Sequence, residues 1–268
     1  MENLAAAYPD QPDSWHHLVA RGVFEHLGRL LVELLITRAE IRRLSGRLRY
    51  EGLENLEAAI RNGKGYFLLS GHFGNWEWVA MMQGLLGSPL WIVTRPLDNP
   101  YLERWLAAVR SATGNRVIHK RNAIREVVKG IRERRGVAFV VDQHFSDRNA
   151  HVVPFFHRPA ATTPALGTLA VRMGVPVVPV FSFPQPDGSY LVEYQEAIWP
   201  PQEMAPDEAA YAVTAEATRR IEGAIRRQPE AWFWVHRRWR TAHPDTVAGP
   251  LMQAGVAPTP RVRRTPTR

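Results

Sequence analysis

His72 and Glu77 stand five residues apart in the run YFLLSGHFGNWEWVA, residues 66–80. An imidazole beside a carboxylate is the base-and-orienter half of a catalytic triad. In one continuous helix, residues five apart diverge by about 140°, at 100° per residue, so the two side chains would not meet. They meet when His72 sits on a turn and Glu77 in the first turn of the helix that follows. Gly71 and Gly74 permit such a turn, and Asn75 is a good N-cap. A carboxylate in the first helical turn is favoured in its ionised form by the helix dipole. Oriented through one ring nitrogen, the imidazole keeps the other as a base. No Ser or Cys nucleophile is then required, provided a hydroxyl of the substrate attacks. Free N–H groups at the helix start are suited to an oxyanion. The plainer reading of any His-x4-Glu is a buried histidine bonded to a loop carbonyl, and the strand–turn–helix setting tells against it here. Phe73, Trp76 and Trp78 crowd the motif and keep water out, which favours transfer over a hydrolase using water.

Other residues join this pair as candidates. Arg95 ends an apolar strand, where parallel α/β sheets place their sites. An arginine fork at Arg95 or Arg110 suits a phosphate; Arg116 and Lys120 are weaker candidates for the same task. Asp142 and Gln143 follow the apolar strand VAFVV. Asp142 there can bind an acceptor hydroxyl, support His72, or cap a turn. Phe155 and Phe156 suit a pocket wall or the core, and Thr162, Thr163 and Pro164 read as a helix start. Trp232, Trp234, His236, Arg237, Arg238 and Trp239 combine aromatics with cations, a mixture that fits a membrane interface or a terminal helix packed on the sheet. His144, Asp147 and His151 match no strong zinc spacing, and no metal site is expected.

The elements that must position these residues alternate along the chain. Helical stretches are LENLEAAIRNG, WEWVAMMQGLL, NPYLERWLAAVRSATG (capped by Asn99), NAIREVVKGIRERRG (capped by Asn122 and ended by Gly136), TPALGTLAVRMG and about 207–227. Strands are YFLLS, LWIVTR, RVIHK, VAFVVD, HVVPFFH, PVVPVFSF and SYLVEYQ. Strands alternating with helices of this length predict an α/β fold with a mainly parallel central sheet flanked by helices. Before them, from Trp15 to Arg43, the apolar residues Val19, Val23, Leu27, Leu30 and Leu34 recur at helical steps. Phe24, Leu31 and Leu35 widen that stripe, which predicts burial on more than one side. Arg21, Arg29 and Arg38 flank it, the alternative being a helix that also touches membrane. Residues 1–14 read as irregular, 15–244 as one folded domain, and the Pro-, Ala- and Arg-rich 245–268 as a flexible tail.

With 268 residues and 45% hydrophobic content the chain can bury a sizeable core. It has no cysteine, which excludes disulfides and thiolate metal sites. A net charge of +8 favours anionic partners: nucleic acid, anionic lipid or phosphorylated substrates. A basic nucleic-acid-binding protein is the reading from another class, but no recognised binding motif supports it. No apolar run reaches the roughly 18 residues of a transmembrane helix, and MENLAAAYPDQPDSW is no signal peptide.

GHFGNWEW resembles the His-x4-Asp/Glu block of the glycerolipid acyltransferase superfamily, in the branch of the bacterial late lipid A acyltransferases. RPLDNPYLERWLAAVRSATGNRVI resembles the second block of that branch. VVDQHFSDRNAHVVPFFHRPAATTPALGTLAVRMGVPVVPVF resembles its Asp-Gln, Val-Pro-Phe-Phe and Val-Val-Pro segments, and PEAWFWVHRRWR its closing signature. The likeness covers about residues 15–241, which makes 15–244 an acyltransferase domain. It implies transfer of a fatty acyl chain from acyl carrier protein or acyl-CoA to a hydroxyl of an anionic membrane glycolipid, most readily a lipid A precursor. His72 is then the general base and Glu77 orients it. Arg95, Asn99, Arg110, Asp142, Gln143, Phe155, Arg237 and Arg238 are the substrate-binding candidates. No cofactor beyond the acyl donor is implied, and no nucleic acid is expected. The place of action is the cytoplasmic face of the inner membrane, with peripheral or monotopic attachment. Family members usually begin with an apolar anchor helix; ENLAAAYPDQ resembles a segment that follows it. Phosphatidylinositol mannoside acyltransferases share the His-x4-acid block and supply an alternative acceptor.

Overall fold

The computed structural model describes residues 1–119 and 123–240, side chains at 38, 39, 42 and 44 excepted. Asn122, Lys120 and the expected tail at 245–268 lie outside the described residues. The chain opens with helix α1 (Glu2–Ala7) and the long helix α2 (Asp13–Ser45), whose backbone departs from helical geometry at Glu40. Strand β1 (Leu48–Glu51), helix α3 (Leu53–Arg61), strand β2 (Tyr66–Ser70) and helix α4 (Trp76–Leu85) follow. Next come β3 (Leu90–Thr94), α5 (Pro100–Arg110), β4 (Arg116–His119), α6 (Ala123–Arg132) and β5 (Gly136–Val140). A hairpin of β6 (His151–Phe155) and β7 (Arg158–Thr162) precedes α7 (Ala165–Met173), β8 (Val177–Pro184), β9 (Tyr190–Tyr194) and α8 (Pro206–Arg227).

Seven strands form one sheet in the order β1-β9-β8-β2-β5-β3-β4. Every neighbouring pair is parallel except β8 with β9. The α/β expectation holds because each βα connection returns the chain over a face of the sheet. Strands covered on both faces must then be apolar throughout. β2 lies in the middle, and all five of its residues are buried. Phe67, Leu69, Val137, Val177 and Ile221 belong to the core on one face; Leu68, Trp78, Met81, Val178 and Tyr190 belong to that on the other. Among the described residues, no helix is long and apolar enough to cross a membrane.

Several expectations are corrected. Residues 1–14 are not irregular throughout, since they contain α1. Leu4 and Ala7 of that helix are buried, and Asn3 donates to the carbonyls of Trp234 and His236 at 2.7 and 2.8 Å. Full burial of Leu4 contributes about 1.5–3 kcal/mol, and together with Ala7 and the two Asn3 bonds it docks a six-residue helix that has no side-chain cap. Strands β1 and β7 escape the alternation rule because each is short and paired at an edge or in a hairpin. Helix α6 ends at Arg132, and Gly136 begins β5 instead of ending the helix. Helix α2 does not bury apolar residues on several sides: Phe24, Leu31 and Leu35 are exposed.

The C-terminal PEAWFWVHRRWR is not a helix. A single 3-10 turn at Pro229–Ala231 leads into an irregular strap. The strap forms an antiparallel bridge between Phe73 and Trp232, and the Phe233 N–H donates to the His72 carbonyl at 3.0 Å. Arg238 pins it. Its fully buried guanidinium donates to the Ala161 carbonyl at 2.6 Å, to Thr162 Oγ1 at 2.5 Å and to the Gln143 carbonyl at 3.3 Å, and lies over the Phe155 ring. Burial pushes Arg238 down to about 10. Removing this side chain takes a donor from the buried Ala161 carbonyl and the buried Thr162 hydroxyl and opens a cavity. Arg238→Ala is therefore expected to lose about 3 kcal/mol or more of stability, read as a lower urea midpoint with an unchanged slope.

Candidate active site

Strand β2 pairs with β5 in a register that sets Ser70 opposite Val140. Two residues further along each chain, the same register sets His72 opposite Asp142. The side chains meet there: His72 Nδ1 lies 2.8 Å from Asp142 Oδ1, and the His72 backbone N–H donates to Asp142 Oδ2 at 2.7 Å. The Trp232 indole N–H donates to the same Oδ2, also at 2.7 Å. Asp142 is buried. Burial pushes its carboxyl up, but the facing imidazole and these donors outweigh it and hold the carboxyl down at about 2. The stability this gives is present above the usual carboxylate value of about 3.9 and is lost as pH falls toward 2. An ionised carboxylate only accepts, so Nδ1 carries the proton and Nε2 keeps the free lone pair. Burial disfavours the imidazolium of His72, yet the Asp142 charge and hydrogen bond, with the Glu77 carboxylate behind them, raise its pKa above the ordinary value.

Glu77 does sit in the first turn of α4, with Asn75 as N-cap. It does not pair with His72. Arg110 donates to it through two N–H groups, Nε to Oε2 at 2.8 Å and Nη2 to Oε1 at 2.5 Å. The expected His72–Glu77 pair is thus corrected to two pairs, His72–Asp142 and Glu77–Arg110. The reason is geometric: the guanidinium fork matches both carboxylate oxygens at once, while the sheet register delivers Asp142 to the imidazole. His72, Glu77 and Arg110 line one cavity of about 570 Å³, with Asp142 buried behind the histidine. Its polar lining includes Ser70, His72, Glu77, Arg95, Arg110 and Gln143, and its apolar lining Leu68, Val79, Ala80, Ile92, Ala138 and Phe139. The Trp76 ring stands edge-on to His72 with centroids 5.1 Å apart, and the Phe233 ring flanks it at 6.2 Å.

The turn between β2 and α4 is held from three sides. Its Asn75 caps Trp78 with Oδ1 at 3.0 Å, donates through Nδ2 to Glu33 Oε2 at 2.8 Å, and donates its backbone N–H to Ser182 Oγ at 2.7 Å. The Gly74 N–H donates to the Ala231 carbonyl at 2.8 Å. Glu33 also accepts from the Tyr190 hydroxyl at 2.8 Å and meets Arg47 Nη2 at 3.3 Å. Sequence spacing could not find Glu33, Ser182 or Trp232 as supports of the motif, since they lie 42, 107 and 160 positions away from Asn75, Asn75 and His72 respectively. A glutamate inside an otherwise apolar helical stripe was the one signal that Glu33 has a buried partner.

The remaining candidates divide. Arg95 and Gln143 are exposed residues that line the cavity. Asn99 is the N-cap of α5, accepting from the N–H groups of Tyr101 and Leu102 at 2.9 and 3.2 Å. Phe155 is not a cavity wall; it is core, stacked among Phe156, Trp232 and Trp239. Arg238 is spent inside the fold, whereas Arg237 is exposed beside Phe24 and Val235 and away from this cavity. Arg116 pairs with Glu126 at 2.6 Å. His144 and His151 take separate partners, the former giving its backbone N–H to His236 Nε2 at 2.8 Å and the latter meeting Thr214 Oγ1 at 3.1 Å.

Comparison with known proteins agrees with the fold. The family described as bacterial lipid A biosynthesis acyltransferase matches residues 1–241. The chain is 27% identical over 241 residues to a lipid A biosynthesis lauroyltransferase of Escherichia coli, covering 89% of this chain and 77% of that protein. It is 29% identical over 192 residues to a lipid A biosynthesis palmitoleoyltransferase of Escherichia coli, covering 71% and 61%. A lipid A biosynthesis acyltransferase of Haemophilus influenzae is 26% identical over 249 residues, covering 91% and 76%. The chain spans less than two thirds of the palmitoleoyltransferase's length and about three quarters of the other two.

The turn itself makes a test. Gly74 has φ +56, and a Cβ there would lie 1.6 Å from the Ser182 carbonyl oxygen. Gly74→Ala adds a left-handed alanine to a backbone clash, so it is expected to lose about 2–4 kcal/mol, measured by urea unfolding.

Proposed function

The chain belongs to the bacterial lipid A biosynthesis acyltransferase family, and from that premise we propose that it transfers a fatty acyl chain from a thioester donor to a hydroxyl of a lipid A precursor, with His72 as general base. The observation that supports this best is the Asp142–His72 pair at the end of β2, which fixes the Nδ1–H tautomer and leaves Nε2 as a base on a cavity wall. The acceptor hydroxyl gives its proton to Nε2 as its oxygen attacks the thioester carbonyl. Collapse of the tetrahedral adduct breaks the C–S bond, and the imidazolium returns the proton to the leaving sulfur. An ester forms and a thiol departs, with atoms and charge balanced. Such acid–base chemistry calls for no metal or redox cofactor, only acyl carrier protein or CoA as carrier of the acyl group.

The other residues take roles in this scheme. Asp142 holds the ring and stabilises its charged form during transfer. Glu77 holds Arg110 by two bonds, and the remaining N–H groups of that guanidinium suit a phosphate of either substrate or the developing oxyanion. The apolar lining from Leu68 to Ala138 suits the acyl chain, and Arg95 and Gln143 suit a polar headgroup. The names of the relatives favour lipid A over a mannoside as acceptor, and action at the membrane surface follows from that acceptor. The nucleic-acid reading draws no support from the charge pattern. Arginines of α8 are tied to acids: Arg219 and Arg220 to Glu216, Arg226 to Glu222 and Arg227 to Glu193.

The test is an assay of purified protein with acyl donors and a lipid A precursor. His72→Ala is expected to reduce turnover by about 10²–10⁴-fold; full activity in that variant defeats the mechanism. A second expectation concerns pH. The base works neutral, and its pKa is raised, so kcat/KM should climb with pH through a midpoint above the ordinary histidine value of about 6.5. Asp142→Asn removes the charge that favours imidazolium. Its midpoint should therefore move to lower pH while the plateau falls; an unmoved midpoint assigns the limb to another group.

A further inference from the structure

Helix α2 buries Val19 and Val23 in its first half. From His26 onward its buried side carries polar groups: His26 Nε2 meets the Gly74 carbonyl at 3.3 Å, Glu33 accepts from Asn75 at 2.8 Å, and Thr37 Oγ1 accepts from the Trp78 indole N–H at 2.9 Å. Its open side is apolar. Phe24, Leu31, Val32 and Leu35 are 68, 60, 58 and 60% exposed, and Gly28 lies between them. These positions recur at three- and four-residue steps and share one face.

The stripe continues beyond the helix. Phe24 lines a shallow cavity of about 330 Å³ with Trp234, Val235 and Arg237. Val235 is itself exposed and lies two residues past Phe233, whose N–H and ring both flank His72. The apolar band therefore runs to the strap that flanks His72. Arg21, which pairs with Glu25 at 3.4 Å, and Arg237 are exposed around it. A contiguous apolar band rimmed by arginines matches a bilayer interface, where apolar side chains enter the acyl boundary and guanidinium groups meet lipid phosphates.

We propose that the outer face of α2, together with Val235, is the surface by which the protein docks on an anionic lipid bilayer, the helix lying in the plane of the headgroups. The lipid acceptor in the function proposed above motivates this, but binding itself requires no turnover. One helix then serves two purposes. Its outer side meets the lipid, and its inner side grips the turn that carries His72, so docking sets the height of the histidine over the surface.

The experiment is co-sedimentation of the full chain with phosphatidylcholine vesicles, with and without phosphatidylglycerol. Wild type is expected to pellet with the anionic vesicles and to release as salt rises. The triple variant Phe24→Ser/Leu31→Ser/Leu35→Ser is expected to bind at least about tenfold more weakly, while Ile124→Ser, an exposed apolar residue of α6, binds as wild type does. Circular dichroism confirms that the variants are folded. Equal vesicle binding by wild type and the triple variant overturns the proposal. So does a wild-type dimer in sedimentation velocity that the triple variant dissolves, since the face then belongs to a second copy. Vesicle binding without acyl transfer defeats the function and leaves the docking surface standing. The triple variant should keep turnover of a detergent-dispersed acceptor and lose it on acceptor embedded in vesicles.

Discussion

A single buried charge organises this protein. Asp142 has lost its water, and an ionised carboxylate in that position is tolerable only when its lone pairs are filled. Three donors fill them: the backbone and ring N–H groups of His72 and the indole N–H of Trp232. These donors come from the end of β2 and from the C-terminal strap, which are far apart in the chain. Burying Asp142 therefore requires the β2–β5 register and the strap to be in place together. The same constraint that threatens the fold fixes the histidine tautomer, so stability and the state of the imidazole rest on one set of bonds.

The second constraint is the turn after Ser70. A left-handed glycine is pressed against the Ser182 carbonyl, and an asparagine cap is shared between α4 and Glu33 of α2. The turn thereby ties β2, β8 and α2 together around the cavity. Glu77 leaves that turn on the first coil of α4, where Arg110 reaches it from the end of α5. The members come from different elements: His72 and Asp142 follow the carboxyl ends of β2 and β5, Glu77 opens α4 beside them, and Arg110 reaches across from α5, so the constellation gathers at one edge of the sheet. That is the usual place for sites in parallel α/β sheets, because the carboxyl ends of the strands release their chains there.

Local information read well from the sequence. The Asn75 cap, the strand YFLLS and the helix carrying Glu77 all depend on a few adjacent residues, and all stand where their spacing puts them. What could not be read were the partners. His72 and Asp142 are 70 positions apart and meet through a sheet register that no local pattern encodes. The turn and the Asn75 cap place Glu77 in the first helical turn after His72, but an arginine fork 33 positions away holds it. Type alone carries no depth, so in sequence Phe155 suits a pocket wall or the core, and Arg238 suits an interface or a packed position. Buried between the hairpin and the strap, they hold each other in place.

Helix α2 shows the same limit in another form. A period of 3.6 reveals that a helix has an apolar face, but not what that face meets. The usual default assigns the apolar side to the core. Here His26, Glu33 and Thr37 are needed to satisfy Gly74, Asn75 and Trp78, whose polar groups are buried around the His72 turn. Once those three side chains point inward, the helix must turn Phe24, Leu31 and Leu35 outward, since 100° per residue leaves no other arrangement. The open apolar band is thus a consequence of how the site is built. A protein that secures the His72 turn with the polar side of a helix must display the other side.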